Sequence, residues 1–233
     1  ETVKRLRLHR AAGELIDNQV VLSKIAERTG YSSVEAFSRA FRQVYEVPPG
    51  AYRSGLNDPT RFAQPLSIKE DKMYSVTIRE MDEIRLAGVA HKGSYMEIGK
   101  AFDRLYMWAS GNQLVPSPDT RAIGIYYDDP SSVDVSELRS YAGFSIPAAF
   151  DIETTKMADS IEEVVIKAGR VATLEHVGPY AELSKAYNWF YGTWLLEQDL
   201  ELGDQPPFEE YMNDPKTTAP QDLITKINLS LKS

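Results

Sequence analysis

Residues 78 to 146 and 163 to 231 repeat one another at a constant displacement of 85 positions. A chain duplicated in this way folds as two copies of one supersecondary unit rather than as a string of independent elements. His91-Lys92-Gly93-Ser94-Tyr95 returns as His176-Val177-Gly178-Pro179-Tyr180, and Glu97, Lys100, Ala101 and Phe102 return as Glu182, Lys185, Ala186 and Tyr187. The register holds through Tyr126 and Asp129-Pro130 against Tyr211 and Asp214-Pro215, and through Leu138 and Phe144 against Leu223 and Leu229. Each copy reads strand, strand, helix, strand, strand, with turns at Gly93, Gly178 and the two Asp-Pro pairs. Two such units are expected to pair about a pseudo-twofold axis, with the sheet face not covered by helices forming a shared groove. The sharpest mismatch is Phe208-Glu209-Glu210-Tyr211, two acids where the sister strand has Ile123-Gly124-Ile125-Tyr126. Strand alternation turns Glu209 and Tyr211 to one face and Phe208 and Glu210 to the other. That makes Glu209 the groove acid and leaves Glu210 facing solvent.

Ahead of the repeats lies a module of different character. Residues 1 to 53 hold nine Lys or Arg against six acids, a net +3 that leaves -11 for the rest of a chain whose total is -8. A basic piece joined to an acidic one points to an anionic partner for the first and a cationic one for the second. Val3, Leu6, Leu8, Ala11, Ala12, Leu15 and Ile16 recur at helical spacing. A second helix fits Val21 to Arg28 with Gly30 as its left-handed stop, and a third fits Val34 to Tyr45, capped by Ser32 or Ser33 and ended by Pro48-Pro49. Two short helices joined by a turn containing Gly form a helix-turn-helix, whose second helix presents its N-terminal residues to base edges. Ser33, Val34, Glu35, Ser38 and Arg39 are then the base-facing positions, and Arg42 and Arg53 the phosphate contacts. Each arginine is equally suited to an intramolecular salt bridge. Residues 54 to 72, with Gly55, Asn57, Asp58, Pro59 and Pro65, read as the linker to a second domain over 73 to 233.

Composition removes several kinds of chemistry. The chain has no Cys, which excludes disulfides, thiolate metal sites and a cysteine nucleophile and fits a reducing compartment. His9, His91 and His176 are scattered, so no metal centre and no cofactor are expected. No apolar run reaches the roughly 18 to 20 residues a bilayer demands, and a cytoplasmic protein without membrane contact is expected. Trp108, Trp189 and Trp194 fall on helices, where aromatic residues are usually core. The paired placement of His91 and His176 before a glycine turn marks them as structural, and Asp128, Asp129 and Asp214 as turn formers.

Two family resemblances attach to these residues. Leu6-Arg7-Leu8, Ala11, Ile25-Ala26, Gly30-Tyr31, Ser33, Phe37, Arg39, Phe41-Arg42, Pro49 and Tyr52-Arg53 resemble the C-terminal part of the AraC/XylS-type DNA-binding domain. Such domains carry two helix-turn-helix units on a long joining helix, and this chain begins within that helix. Glu46 departs from the Gly usual there. His91-x-Gly93-x-Tyr95, Phe102, Trp108, Tyr126, Asp128-Asp129-Pro130, His176-x-Gly178-Pro179-Tyr180, Leu183, Trp194-Leu195, Pro207-Phe208-Glu209-x-Tyr211 and Asn213-Asp214-Pro215 resemble the GyrI-like effector-binding domain. The combined resemblance implies an α+β bacterial transcription regulator, a small all-α domain followed by the duplicated one, with DNA, RNA polymerase and a small molecule as partners. It implies that the acid matching Glu209 binds a lipophilic cation, with Tyr211, Tyr126, Phe208 and Trp194 around it. Two other functions fit the same residues. One is a small-molecule hydrolase in which Glu209 and Tyr211 handle water and proton, and the other is a protein-binding inhibitor module.

Overall fold

The structure, a computed structural model, describes residues 8, 11–15, 20–45, 47–56, 74–112, 119–130, 132–155 and 160–232. They divide into two compact units. One is built on residues 1–75 with 177–186 and 213–224, the other on 76–176 with 187–212 and 225–233.

The first unit contains the helical module. Ala11 to Leu15 are helical and bury Ala11, Ala12 and Leu15, whereas Val3, Leu6 and Ile16 of the expected helix lie outside the described residues. Helices α1 (Leu22–Arg28) and α2 (Val34–Tyr45) follow at the expected places. Between them Gly30 takes φ 78° and its N–H donates to Glu27 O at 2.9 Å, a left-handed stop that a side chain would resist. Of the two candidate caps Ser33 acts, its Oγ accepting from Ala36 N at 3.1 Å. Pro48-Pro49 ends α2 and also starts α3 (Pro49–Leu56). Proline suits a first helical turn, where its missing N–H is not needed. Ile25, Phe37, Phe41 and Tyr52 form the module's core, with the Phe41 ring 4.4 Å from Tyr45 and 5.3 Å from Tyr52. In the same unit α2 packs on the short turn Pro220–Asp222.

The second unit is built on a sheet of eight strands, β1 (Ser75–Met81), β2 (Ile84–Lys92), β3 (Ala122–Tyr126), β4 (Arg139–Ser145), β5 (Glu162–Ile166), β6 (Gly169–Val177), β7 (Phe208–Tyr211) and β8 (Ile224–Ser230). Their order is β1-β6-β8-β7-β3-β4-β2-β5. Replacing each strand by its repeat mate reverses this order and leaves it unchanged, so the pseudo-twofold axis falls between β3 and β7. There Ile123 faces Glu210 and Ile125 faces Phe208, with Gly124 opposite Glu209 at the centre. Gly124 and Glu209 are themselves repeat mates, and the acid therefore lies on the axis.

The first strand of each copy leaves its own copy, β5 pairing with β2 and β1 lying beside β6. This exchange bends the sheet. Met81 and Ile84 are separated by two residues and by at most roughly 11 Å of chain, yet β1 and β2 stand six strand spacings apart in the order, roughly 29 Å if the sheet were flat. The sheet therefore curls, and one of its faces closes over Met81, Ile84, Leu86, Ile123, Ile125, Tyr141, Ile166, Val171 and Phe208, a core made of strand residues alone. Helix α4 (Gly99–Gly111) covers the other face, setting Ala101, Leu105, Trp108 and Ala109 against Ala87, Val89, Ala142 and Phe144. Full burial of a side chain such as Leu105 contributes roughly 2 to 3 kcal/mol. The second copy's helix is irregular. Behind the short turn Tyr180–Glu182, α5 (Leu183–Trp189) passes into a π turn over Phe190–Trp194 and a 3-10 turn over Leu195–Glu197.

Candidate functional site

Four side chains converge at the axis. β7 and β3 place Tyr211 and Tyr126, repeat mates, with their hydroxyls hydrogen-bonded to one another. Tyr211 Oη also donates to Glu209 Oε2 at 2.9 Å, and Tyr187 of α5 donates to Glu209 Oε1 at 3.0 Å. A phenol has one proton. With the Tyr211 proton committed to the carboxylate, the one Tyr126 proton is shared between the Tyr211 oxygen and the Glu209 carboxylate. Gly124 makes room for this arrangement, because a Cβ there would lie 2.9 Å from Tyr211 Oη and 3.0 Å from Tyr126 Oη. Around the polar centre Phe102 meets the Tyr211 ring edge-on at 5.5 Å, Tyr95 meets Tyr126 at 4.8 Å, and Tyr191 stacks with Tyr187 at 6.3 Å.

Glu209 is 4% exposed. Burying a carboxylate costs several kcal/mol, and each charge-assisted hydrogen bond returns about 2 kcal/mol. Burial wins. The Glu209 carboxyl is pushed up to about 7, with the hydroxyls of Tyr211, Tyr187 and Tyr126 opposing the shift. Burial, with the Glu209 charge behind it, also pushes the Tyr187 phenol well above its ordinary value. Among the described residues this is a carboxyl poised between its two forms near neutrality inside a ring of aromatic faces, a combination that attracts an organic cation by charge and by ring quadrupole together.

Two sequence expectations are corrected here. The acid does not face an uncovered side of the sheet. Tyr126 packs with Ile98, Ala101 and Leu105, and Tyr187 reaches Glu209 from α5, so the site lies on the helix-covered face. The side away from the helices is instead consumed as core by the curl of the sheet. Phe208 lies in that core, across the sheet from the Glu209 carboxylate, as alternation along β7 requires. Glu210 shares its face but is not solvent-facing. It is buried, with Arg79 Nη2 at 3.1 Å from Oε1, Arg121 Nη2 at 2.7 Å from Oε2, and Asn228 Nδ2 donating at 3.2 Å. Trp194 is half-buried in the π turn with its ring 5.3 Å from Phe190.

Tyr187 escaped the sequence reading although a signal for it existed. It is the mate of Phe102, a hydroxyl gained in the copy that also gained the acid. Arg79 and Arg121 left a similar trace, since their mates are Val164 and Pro206. The remaining candidates take structural positions. His91 Nε2 lies 3.1 Å from Ser94 O, Asp128 accepts from Arg139 N at 2.7 Å, and Trp108 Nε1 donates to Thr155 Oγ1 at 3.1 Å. An open depression lined by Ala90, His91, Lys92, Tyr127, Arg139 and Ser140 shares none of the residues around Glu209. Its cations are engaged already, Lys92 with Glu137 and Arg139 with Asp128.

On the helical module Arg39 and Arg42 are exposed, and Val34 and Ser38 are half-buried. Ser33 is occupied as the cap of α2. The Glu35 carboxyl is held below its ordinary value by its own backbone N–H and by the Ser33 hydroxyl, with Arg39 a smaller cause. Arg53, expected at phosphate, instead turns inward and donates to Val20 O at 2.6 Å.

The GyrI-like small molecule binding domain matches residues 74–232. The chain belongs to the GyrI-like family. A helix-turn-helix domain matches residues 1–55 of the same GyrI-like protein, and the two together make a ligand-responsive transcription regulator. A DNA gyrase inhibitor of Citrobacter koseri is 28% identical over 138 residues, 59% of this chain and 86% of that protein. Its counterpart in Citrobacter rodentium is 27% identical over 147 residues, 63% of this chain and 90% of that protein. The C-terminal domain of EcmrR superposes with a TM-score of 0.58 at 16% identity, covering 69% of this chain and 99% of that one. EcmrR in its DNA complex gives the same TM-score at 15% identity over 92% of this chain and 78% of that one. At these identities the likeness is one of fold. Among the described residues no helix of the GyrI-like protein is long and apolar enough to cross a membrane.

Proposed function

We propose that the small molecule this regulator answers to is an amphipathic, lipophilic cation bound at Glu209, and that its occupancy alters how the helix-turn-helix meets DNA. The observation that carries the reading is the buried Glu209 carboxyl, held by Tyr211 and Tyr187 among aromatic rings and pushed up to about 7 by burial. A neutral ligand leaves the cost of ionising that group unrelieved, whereas a cation removes it, so the site selects for positive charge. Exposed Arg39 and Arg42 support DNA as the partner of the helical module, with RNA polymerase as a further partner. Titration of the protein with tetraphenylphosphonium, followed by thermal shift and by tryptophan fluorescence, tests the reading. Saturable stabilisation that weakens at least tenfold in Glu209→Gln is expected, and equal binding by both proteins would rule it out.

The same carboxyl, with a value near neutrality and a phenol donor at hand, also suits general acid and base work, which keeps hydrolysis as a second reading. Release of product from an activated ester or epoxide, lost in Glu209→Gln, would favour it over the sensor.

A further inference from the structure

The two repeats end their helices differently. Near the end of α4, Trp108 and Ala109 are 2% and 1% exposed, because the segment between the repeats lies over them. Phe150 meets the Trp108 ring edge-on at 6.3 Å, Thr155 Oγ1 accepts from Trp108 Nε1 at 3.1 Å, and Ile152 is buried in the same cluster. The corresponding positions of the second copy are open. Thr193 is exposed and Trp194 half-buried, and the chain then turns through Leu195 and Leu196, the latter 77% exposed. Where the first copy reads Ala109-Ser110-Gly111-Asn112, the second reads Trp194-Leu195-Leu196-Glu197. The more open helix end therefore carries the larger apolar side chains.

Acids crowd the same end. No Lys or Arg occurs between Lys185 and Lys216, whereas Glu197, Asp199, Glu201 and Asp204 follow Leu196 closely, and all four are exposed. Their mates are Asn112, Leu114, Pro116 and Asp119, so three of the four charges belong to the second copy alone. Lys232 answers part of this charge, with its Nζ 2.7 Å from Glu201 Oε2 and Asp204 adding to its field. Glu197 and Asp199 enter no ion pair among the described residues. They are separated by at most roughly 7 Å of chain, which is within the roughly 8 Å screening length of physiological salt. Their fields add beside Leu196.

Exposed apolar side chains rimmed by charge mark an interaction surface, and the sign of the charge selects the partner. Nucleic acid and anionic lipid are repelled. The sister helix shows the form of cover that fits such an end, a short irregular chain segment with one aromatic anchor. We propose that residues 194–204 are a docking surface for a basic, amphipathic segment of another protein, which lays an apolar side chain against Leu195 and Leu196 and sets lysines or arginines on Glu197 and Asp199. No part of this depends on a ligand at Glu209.

The test uses the full chain with p-benzoylphenylalanine in place of Leu196, irradiated in a lysate of the cell that makes it. The control carries the same photoreactive group in place of Met107, an apolar position of α4 that is 63% exposed and neighbours one acid and one base, Asp103 and Arg104. Cross-linking from position 196 is expected at least fivefold above the control, on a single segment in which Lys or Arg flanks an apolar side chain. Glu197→Lys combined with Asp199→Lys should reduce that yield at least fivefold, as should raising the salt to about 0.5 M. A synthetic peptide of the mapped segment should compete for it. The salt arm uses the protein without charge reversal, so it decides the matter even where the reversed variant folds poorly. A yield no higher than the control's, a product indifferent to salt, or a product on an acidic or uncharged segment overturns the proposal. A product on a second copy of this chain overturns it as well, because copies would then pair there.

Discussion

Among the described residues Glu209 is the one carboxyl whose proton is held toward neutrality. Unfolded, the Glu209 carboxyl ionises near 4.5, and folded it keeps its proton to about 7. The unfolded chain therefore gains charge first, and the folded state loses stability as pH rises through that window. Some 2.5 units at 1.36 kcal/mol each amount to about 3 kcal/mol. Urea unfolding of wild type and Glu209→Gln at pH 5, 6, 7 and 8 should show the variant gaining on the wild type by most of this amount, and a constant difference would contradict the assignment. Affinity for a permanent cation should follow the opposite course in the wild type. It climbs roughly tenfold per pH unit below 7, flattens above it, and is flat throughout in Glu209→Gln. The neighbouring glycine makes a separate case. In Gly124→Ala the new methyl group pushes against both tyrosine hydroxyls, and the rings, held in paired strands, cannot both retreat. A loss of about 1 to 2 kcal/mol is expected in urea unfolding, with weaker tetraphenylphosphonium binding. Unaltered stability and binding would mean the hydroxyl pair tolerates separation.

At the level of elements, β7 shows what could and could not be read from sequence. Its alternation was legible, and it correctly separated Glu209 and Tyr211 from Phe208 and Glu210. Which face was which was not, because that depends on the exchange of β1 and β5 between copies. This long-range pairing curls the sheet, turns its open side into the core around Phe208, and leaves the helix-covered face for the site. Burial of Glu210 has the same origin. Arg79 on β1 reaches it only because β1 crosses to the second copy, passing Thr173 of β6 and Asn228 of β8 on the way. The helices were easier. Gly30, Ser33 and Pro48-Pro49 marked boundaries through local chemistry, while α3 was missed because PGAYRSGL has no apolar stripe to announce it. The Glu210 cluster allows a test of the crossing. Glu210→Ala would leave two arginines facing each other, and because both are about one-third exposed the loss should be nearer about 2 kcal/mol than the larger cost of a fully buried pair. Replacing Arg79 as well should recover part of it in a double-mutant cycle, and strictly additive losses would mean the two groups do not interact.

For the whole molecule, duplication supplies the pair of positions on which asymmetry acts. An acid at both Gly124 and Glu209 would set two carboxylates face to face on the axis, where only one could ionise. Glycine in the first copy removes that conflict and opens the space filled by the two hydroxyls. The polar half of the site thus follows from two mismatches between equivalent positions, Gly124 with Glu209 and Phe102 with Tyr187. If the axis is as close to twofold as the strand order implies, the acid should be movable. In a Glu209→Gly protein, Gly124→Glu places the carboxylate on the same axis with Tyr126 now as its strand donor. Its helix neighbour becomes Phe102, which has no hydroxyl to offer. One donor poorer, that carboxyl should ionise at a higher pH than Glu209 does. At pH 7.5 tetraphenylphosphonium should bind the transplanted protein more weakly than the wild type, by about the tenfold that one charge-assisted hydrogen bond is worth, yet more tightly than Glu209→Gly alone. Adding Phe102→Tyr supplies the missing donor from α4, and affinity should return to within threefold of wild type. Binding by the transplanted protein no better than that of Glu209→Gly would mean that the two halves of the site are equivalent in fold but not in chemistry.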